Sequence, residues 1–531
     1  MIYFIPNWQS LSAGPTDFDD IVHQLKMFQE SSIDVELILP TYLPNIRYQL
    51  NRQGLMNIKY WSVFDDLQNV ETAVGLPVKM DDLNFPKNTE LIYTPTCIIA
   101  RCHQVVIAKI YYSEFGFVNN VVYFKNNSAV EKVIFDDRGF ISSSILFNDQ
   151  GLQVKMNYFD NQNNIKIQHN ILTNQVRIKS MSRILSYDSM ADLIINYLKQ
   201  HLQKDKSQHT LVISASLHNG YLTQLSSLNC RMIISFFGNR FDFRNHEVLR
   251  KYLSVANTVV VDTQFSKTKL VELYQSDETV NDQYTIRELP PFDARLKLGD
   301  SQSSKLKKIY WYIDDMSTEQ LSKVTQIIIA NIIEKKQLSL LITSRNNDKI
   351  NTVMKQMFMV TKKLYQVNED SFIYQAAWQK INDDSENKLS NAELGNLEAT
   401  QEWQDAMKTI LTMQRLEGKL IRSENDVITG LQNARLILDL NQSPDVYLQI
   451  SGLSVGLPQI NLTESAYVVD KENGLIIDNI DQLEDALAYY LDALQHWNEA
   501  LVYNVAQIEK YSGENNVQRW IQLLEDNYEK N

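Results

Sequence analysis

Two stretches of this chain alternate between short apolar strands and amphipathic helices, and this alternation constrains the fold more than any other feature. Near the N-terminus, the strands at 2–5 and 35–39 flank a segment whose apolar residues recur at helical spacing. The same order returns at Ile309–Ile313, after a polar, Ser- and Lys-rich segment at 298–308 that is typical of a linker. Strands that alternate with helices indicate βαβ units. We therefore predict two Rossmann-type domains, each with a parallel sheet.

Between these stretches the pattern changes to closely spaced turns. From Val121 to Ile178, turn signals separate strand-length runs rich in Ile, Val, Phe and Tyr, which predicts an antiparallel β-meander. Helical spacing then returns from Ile184 to Leu202. The predicted parts are an N-terminal Rossmann-like domain at 1–115 and 180–297, the inserted antiparallel sheet at 116–179, a C-terminal Rossmann-like domain at 308–480, and C-terminal helices at 481–531 that pack back across the domains.

Charge, apolar runs and cysteine count restrict the partners and the cellular location that we predict for this chain. The net charge of −13 disfavours nucleic acid as a partner, because the long-range field repels phosphate. No apolar run is long enough for a membrane-spanning helix, and Met1 leads directly into a core strand with no basic region before it, which argues against a signal peptide. Three cysteines are too few, and odd in number, for a disulfide framework. We predict a cytoplasmic protein.

The segment Leu438–Ile477 has the order strand, Ser-Pro turn, helix, Gly456-x-Pro458 and short strand. This order resembles the donor half of GT-B glycosyltransferases, in which a helix that ends in Gly-x-Pro carries a glutamate that holds the nucleotide. Ser451 stands at the position of that glutamate, and Ser443 stands near the position of a companion acid. The resemblance implies a donor-site scaffold that has lost its working groups. We therefore predict no bound cofactor.

Further candidates follow the predicted strands, since ligands of open α/β sheets bind beyond the carboxyl ends of the strands. In the second domain these are Asn441 and Arg345, and Asp314-Asp315 would repel a diphosphate there. Arg345 is either a cation for such a ligand or an ordinary surface arginine. In the first domain, His218 and Asn219 follow a strand, where His218 is either a base or acceptor-binding group or simply a turn residue.

The chain lacks the usual signatures of catalytic and metal sites. No paired zinc-like spacing occurs, and no G-x-G-x-x-G, G-K-[ST] or G-x-S-x-G motif is present. The sequence therefore predicts no catalytic residue and no metal ligand.

Three features together resemble the glycosyltransferase-like member, the first, of the Asp proteins of the bacterial accessory Sec system. They are the N-terminal MIYFIPNW, the β-meander and the segment Leu438–Ile477. The resemblance implies a GT-B-like fold, with two Rossmann-type domains facing a cleft and a decayed donor site. It also implies the two sister Asp proteins, an accessory SecA-type motor ATPase and a glycosylated serine-rich repeat adhesin as partners. Recruitment through these partners to the inner face of the membrane stays open.

Two functions are compatible with these features. The first is a non-catalytic component of the accessory Sec system that assembles with the sister Asp proteins and supports export of the adhesin, with or without binding that glycoprotein itself. The second is an active GT-B glycosyltransferase that modifies the same adhesins from a nucleotide-sugar donor. Catalysis needs groups that stabilise the departing diphosphate. The serines at 443 and 451 and the acids at 314–315 therefore favour the first function.

Overall fold

The computed structural model describes most of the chain. The described residues are 1–8, 17–70, 75–180, 183–204, 209–238, 240–275, 284–381 and 391–525. The chain divides into two compact units, Met1–Val261 with Leu270–Arg287 and Asp262–Lys269 with Glu288–Asn531. No helix among the described residues is long and apolar enough to cross a membrane. The two units are taken in turn below.

The N-terminal half of the chain is rich in strands. In chain order these are β1 (Ile2–Ile5), β2 (Val35–Leu39), β3 (Lys59–Ser62), β4 (Thr89–Tyr93), β5 (Ile98–Cys102), β6 (Val105–Tyr112), β7 (Val118–Lys125), β8 (Ser128–Phe135), β9 (Ile141–Phe147), β10 (Gln153–Phe159), β11 (Ile165–Asn170), β12 (Val176–Ser180), β13 (Arg183–Tyr187), β14 (His209–Ser214), β15 (Cys230–Phe236), β16 (Thr258–Val261) and β17 (Thr285–Glu288). The α-helices are α1 (Asp20–Glu30), α2 (Ile46–Arg52), α3 (Val63–Gln68), α4 (Met190–Leu202), α5 (His246–Leu253) and α6 (Gln264–Gln275).

One sheet of this half is built as the alternation predicts. Its order is β17-β16-β15-β14-β1-β2-β3, and β1 pairs in parallel with both β14 and β2. Phe4 and Ile5 of the central strand β1 are fully buried, as expected for a strand covered on both faces. The predicted parallel sheet is therefore confirmed.

The second sheet is antiparallel and longer than the predicted insertion. It runs from β4 to β13 with each strand beside its neighbour in sequence, so it extends beyond 116–179 at both ends. The prediction of helical spacing from Ile184 is wrong, because Arg183–Tyr187 pairs with β12 and α4 begins only at Met190, after the cap residue Ser189. A short apolar run fits either period, which explains the error. Whether this sheet is a separate domain stays a prediction.

A buried ionic cluster joins the antiparallel sheet to the helices of the parallel sheet. Arg138, in the turn between β8 and β9, donates from Nε to Oδ1 of Asp136 at 2.6 Å. Its Nη2 donates to Oδ1 of Asp65 on α3 at 2.8 Å. The next carboxylate, Asp137, accepts from the backbone N of Tyr48 on α2 at 2.8 Å. The side chains of Arg138 and Asp136 are almost fully buried, so the cluster holds the two sheets together through α2 and α3.

Replacing Arg138 should loosen this junction. We expect Arg138→Met to destabilise β8 and β9 by about 3–5 kcal/mol, because the substitution leaves Asp136 as a buried charge without its partner. Hydrogen exchange of residues 128–147, followed by mass spectrometry, measures the effect. The matched control is Arg101→Met, which breaks an ion pair with the exposed Glu90 in the same sheet and should cost less than about 1 kcal/mol. Equal protection in both variants would contradict a role for the cluster.

The C-terminal half combines a parallel sheet with helices between its strands, and its described part ends in three helices. Its strands are β18 (Lys307–Tyr312), β19 (Leu338–Ser344), β20 (Leu416–Leu420), β21 (Ala434–Asp439), β22 (Gln459–Asn461) and β23 (Gly474–Ile476). Its α-helices are α7 (Thr318–Glu334), α8 (Asn347–Leu364), α9 (Phe372–Ile381), α10 (Asn391–Glu398), α11 (Gln401–Met413), α12 (Glu424–Gln432), α13 (Val446–Val455), α14 (Leu483–Leu491), α15 (Leu494–Lys510) and α16 (Gly513–Glu525). The parallel sheet has the order β20-β19-β18-β21-β22-β23, so the predicted second parallel sheet is confirmed.

The segment predicted as a linker is bound to the second unit. The backbone N of Asp300 donates to Gln432 O at 2.7 Å, the backbone N of Lys297 donates to Ser454 O at 2.9 Å, and β18 already begins at Lys307. Residues 298–308, predicted as an interdomain linker, therefore lie within the second unit and are hydrogen-bonded to it. Ser- and Lys-rich composition indicates exposure, but it gives no information on where the backbone finds its hydrogen bonds.

The C-terminal helices pack on the second unit. The indole of Trp497 on α15 donates to Arg435 O at 2.8 Å, and the guanidinium of Arg435 lies 3.8 Å from the centre of its ring. Asn504, further along the same helix, donates to Leu457 O at 3.0 Å. Packing of residues 481–531 across both domains stays a prediction, and residues 526–531 lie outside the described part of the chain.

Candidate functional site

The carboxyl ends of the central strands of the second sheet lie side by side. In the register of the sheet, Thr343 of β19 pairs with Tyr312 of β18, and Tyr312 pairs with Asp439 of β21. The loops that leave these strands carry Asp314, Arg345 and Asn441, three of the positions considered from the sequence. The side chains of Asp314 and Arg345 contact each other, and Asn441 accepts from the backbone N of Asp315, at this edge, which we call the donor edge.

Arg345 is held between two carboxylates at the donor edge. Its Nη2 donates to Oδ2 of Asp445 at 2.9 Å, and its Nη1 lies 3.6 Å from Oδ2 of Asp314. The Nη1 also donates at 2.7 Å to the hydroxyl of Tyr312, which in turn donates to Asp314. The backbone N of Arg345 donates to Oδ1 of Asp314 at 2.8 Å. The cation that the sequence offers for a diphosphate is therefore already neutralised by internal partners.

The electrostatics of Arg345 follow from this arrangement. Burial acts to lower the pKa of Arg345, but the groups around it, with Asp445 first among them, together outweigh burial, and the pKa is raised. The guanidinium is therefore firmly charged, yet its charge is shared with Asp445 and Asp314. The side chain is still 43% exposed, so it lies at the surface of the donor edge and not in the core. An incoming phosphate would have to compete with two carboxylates that are already in place.

A buried carboxylate lies beneath Arg345. Oδ1 of Asp439 accepts from the side-chain Nδ2 of Asn441 at 2.7 Å, and its Oδ2 accepts from the backbone N of Asp445 at 2.9 Å. Asn441 uses its own Oδ1 to accept from the backbone N of Asp315 at 3.0 Å. Burial raises the pKa of Asp439 to about 7. Asn441 thus links the loop after β18 to the end of β21, and both the oxygen and the nitrogen of its amide take part in these hydrogen bonds.

The helix that follows begins with a carboxylate where a donor diphosphate would need positive potential. Asp445 caps α13 by accepting from the backbone N of Leu448 at 2.9 Å. Ser443 is half-buried in the preceding loop. Ser451 is half-buried on α13, beside Tyr447, and offers a hydroxyl and no carboxylate. An occupied N-cap removes the anion site that a free helix N-terminus provides. These residues do not fit a nucleotide diphosphate.

Gly456 and Pro458 shape the end of α13. Gly456 has φ +80°, and its backbone N donates to Gly452 O at 3.0 Å, as in a glycine helix end. A Cβ at this position would lie 2.4 Å from Cδ1 of Leu501 on α15. Pro458 O accepts from the backbone N of Ile437 at 3.0 Å, which starts the pairing of β22 with β21. Both residues therefore act on the backbone and on packing.

The candidates in the first unit lie together after β14. Asn219 is almost fully buried, and its Nδ2 donates to Pro6 O at 3.1 Å and to Ser214 O at 3.0 Å, so it ties the ends of β1 and β14 together. His218, the preceding residue, is exposed in the turn. Only His218 of this pair offers its side chain to solvent.

Two groups of interactions were not found from the sequence. One is the pairing of Arg345 with Asp445, which are distant along the chain. The other lies at the carboxyl ends of β14 and β15, where Arg240 pairs with Asp20 of α1 and donates to Ala215 O at 3.2 Å. Among the site residues that the sequence reasoning missed, Asp439 alone could have been found. It is an acid at the end of an otherwise apolar strand, and such an acid is rarely buried without hydrogen-bond partners.

Comparison with known proteins decides the family. A family model described as the first Asp protein of the accessory Sec system matches residues 1–527. The chain belongs to this first-Asp family. Two relatives that carry the same protein name support this, at 30% identity in Streptococcus gordonii and 27% in Staphylococcus aureus. Each alignment covers 99% of this chain and 99% of the relative. The predicted resemblance to a glycosyltransferase-like Asp protein is therefore confirmed.

Solved structures place this chain of the first-Asp family in a fold class. The Glycosylation Associate Protein (Gap123) complex from Streptococcus agalactiae matches at 27% identity with a TM-score of 0.72, covering 98% of this chain and 99% of that one. Accessory secretory proteins 1, 2 and 3 of Streptococcus pneumoniae match at 25% identity with a TM-score of 0.74 over 100% of both chains. The pneumococcal O-GlcNAc transferase GtfA, solved with UDP and GlcNAc, matches at 12% identity with a TM-score of 0.68, covering 99% and 98%.

The match to GtfA shows the fold alone. With the parallel sheets and the antiparallel sheet, it confirms the predicted α/β class with GT-B glycosyltransferases as structural neighbours. The arrangement of two domains about a cleft stays a prediction.

Asp439 should make the stability of this member of the first-Asp family depend on pH. Because burial raises its pKa from 3.8 to about 7, the folded protein keeps a proton that the unfolded chain has released. The free energy of unfolding should therefore fall as pH rises from about 4 to about 7. Asp439→Asn, which does not titrate, should remove this part of the slope in urea unfolding followed by circular dichroism. Asp370→Asn, at an exposed turn, is the control and should keep the full slope. Identical slopes in the two variants would contradict the assignment to Asp439.

Proposed function

We propose that this chain is a non-catalytic, glycosyltransferase-like component of the accessory Sec system that assembles with the two sister Asp proteins. The observation that carries the non-catalytic part of the proposal is that Asp314 and Asp445 already neutralise Arg345 at the donor edge. In this role the fold serves as a binding and assembly scaffold. A degenerate donor site is an expected feature of such a scaffold.

The chemistry of sugar transfer supports this assignment. A glycosyltransferase that uses a nucleotide donor must stabilise the negative charge that develops on the departing diphosphate, and fixed donors or cations usually do this. At the donor edge, a carboxylate caps α13, and serines stand at 443 and 451. Lys349 is another nearby cation, and its Nζ donates to the backbone carbonyls of Asp314 and Met316. The described residues of this edge therefore offer little stabilisation to a leaving diphosphate.

The assembly role rests on relatives that are matched over their whole length. The structure of accessory secretory proteins 1, 2 and 3, and that of the Gap123 complex, are by their names multi-protein assemblies. The present chain covers 100% and 99% of the matched chains, so no large part of either counterpart lacks an equivalent. We extend the proposal to a cytoplasmic complex that works with the accessory SecA-type motor, reaches the inner face of the membrane through its partners, and supports export of a glycosylated serine-rich repeat adhesin.

The alternative function is an active GT-B glycosyltransferase that modifies the same adhesins. It is favoured by the similarity of fold to GtfA, which was solved with UDP and GlcNAc. Such an enzyme would need a nucleotide site elsewhere than the donor edge, or a movement that releases Arg345 from both carboxylates. We prefer the non-catalytic role because the geometry of the donor edge opposes an anionic ligand.

Binding of sugar nucleotides separates the two functions. We expect calorimetry of the full chain with UDP- and GDP-sugars to give no measurable heat of binding, because Asp314 and Asp445 compete for Arg345. GtfA, measured in the same way with UDP, is the positive control. Micromolar binding of any of these donors, or transfer of sugar to a peptide acceptor, would establish the enzyme instead.

Co-purification tests the assembly role. Affinity-tagged full-length chain should retain both sister Asp proteins, and we expect Arg345→Ala to retain them equally if assembly takes place away from the donor edge. Adding glycosylated and unglycosylated adhesin in separate experiments distinguishes the binding modes. Preferential retention of the glycosylated form extends the role to reading the glycan, whereas failure to retain the sister proteins would rule out the assembly role.

A further inference from the structure

The flank of the second unit carries a long groove between α7 and α8. Its first part has a volume of about 490 Å³ and is lined by Thr325 and Gln326 of α7 and by Lys355, Gln356 and Met359 of α8, among others. A second cavity of about 580 Å³ shares Met359 and Val360 with the first, is lined by α8 alone of the two helices, and continues past the end of α8 to Val367. We call this continuous feature the α7–α8 groove. None of the residues that line it belongs to the donor edge that the proposed function uses.

The periodicity of both helices explains the groove. On α7, Val324 and Ile328 are fully buried, and on α8, Val353 and Met357 are fully buried. The groove-lining positions on each helix are offset from these residues and recur at three- and four-residue spacing, so they form a second face on each helix. Two neighbouring helices that each present such a face leave a channel into which the ridge of a third helix can pack.

Polar atoms in the groove lack partners. Thr325 is only 1% exposed, and its Oγ1 has no hydrogen-bond partner in the described part of the chain. By contrast, Thr352 and Thr361 of α8 donate to the carbonyls four residues before them, at 2.7 and 2.8 Å. Oε1 of Gln356 is also buried without a partner among the described residues. A buried polar group without a hydrogen bond costs about 1–3 kcal/mol, so this wall of the groove raises the free energy of the isolated chain.

The rim of the groove combines an exposed apolar side chain with positive charge. Met359 is 52% exposed and lies one turn from Lys355 on one side and one turn from Lys363 on the other. Lys362 pairs with Glu369 at 2.7 Å, but within the described ranges neither Lys355 nor Lys363 has an ion-pair partner. Lys355, Met359 and Lys363 thus form a stripe whose charge is positive, whereas the net charge of the chain is −13. Methionine suits such a surface because its flexible side chain adapts to a partner.

We propose that the α7–α8 groove binds an acidic amphipathic helix of a partner protein. The apolar stripe of that helix packs on Met359 and Val360, and its flanking carboxylates pair with Lys355 and Lys363. A polar side chain between them faces the wall that Thr325 and Gln356 line. The lysines are eight residues apart, which is about 12 Å on a helix, so the matching acids lie two turns apart. The proposal rests on the groove alone and does not depend on the proposed function.

Site-specific photo-cross-linking tests the proposal in the full-length protein. The photoreactive residue p-benzoylphenylalanine replaces Met359 in the cell that produces the protein, and the cross-linked segment is sequenced by mass spectrometry. We expect a protein segment with apolar residues at helical spacing and acids about two turns apart. The matched probe at Leu411, which is similarly exposed on α11, should not capture this segment.

Charge reversal decides whether the lysines matter. Lys355→Glu together with Lys363→Glu should lower the cross-linking yield at Met359 at least about fivefold, since like charges then face each other across the rim. The control reverses Lys305 and Lys336, two exposed lysines of the same unit that do not line the groove, and should leave the yield unchanged. A yield that resists the first reversal, a captured segment without acids, capture of lipid or glycan in place of protein, or no cross-link at all would overturn the proposal.

Discussion

The carboxylate of Asp439 sets the positions of the loops at one end of the second parallel sheet. It is fully buried at the last position of β21, where a charged group is tolerated only with hydrogen bonds from its surroundings. Asn441 and the backbone of Asp445 supply these bonds. Asn441 also accepts from the backbone N of Asp315, which fixes the loop after β18. Asp445 in turn caps α13 and holds Arg345. One buried acid therefore determines how the exposed charges above it are paired.

The shape of a donor domain and the chemistry of a donor site have different physical origins in this protein. Gly456 is required by a left-handed backbone and by the contact with Leu501, and Pro458 positions β22, whether or not a nucleotide binds. By contrast, a site for a diphosphate needs free positive potential, which a few substitutions can remove. The fold itself therefore requires Gly456 and Pro458, independently of any ligand at the donor edge.

The sequence predicted the parts of the fold that depend on local periodicity. The strands predicted at 2–5, 35–39 and 309–313 and the helix end at Gly456 follow from spacing and from one backbone preference, and the structure has strands at Ile2–Ile5, Val35–Leu39 and Lys307–Tyr312. The start of the antiparallel sheet and the strand Arg183–Tyr187 were missed, because short apolar runs fit several structures. The partners of Arg345 could not be predicted, since a hundred residues separate it from Asp445. Pairing across such a distance depends on sheet order, and periodicity contains no information about that order.

The ionic cluster around Arg138 has a consequence for the exchange of parts between relatives. Asp136 and Arg138 belong to the antiparallel sheet, but Asp65 is contributed by α3, before that sheet begins. A chimera that transplants residues 89–187 alone would bring the arginine into a new protein without one of its two carboxylates. Natural recombination and laboratory engineering face the same restriction. The sheet can be inherited intact only together with a residue that lies outside its own boundaries.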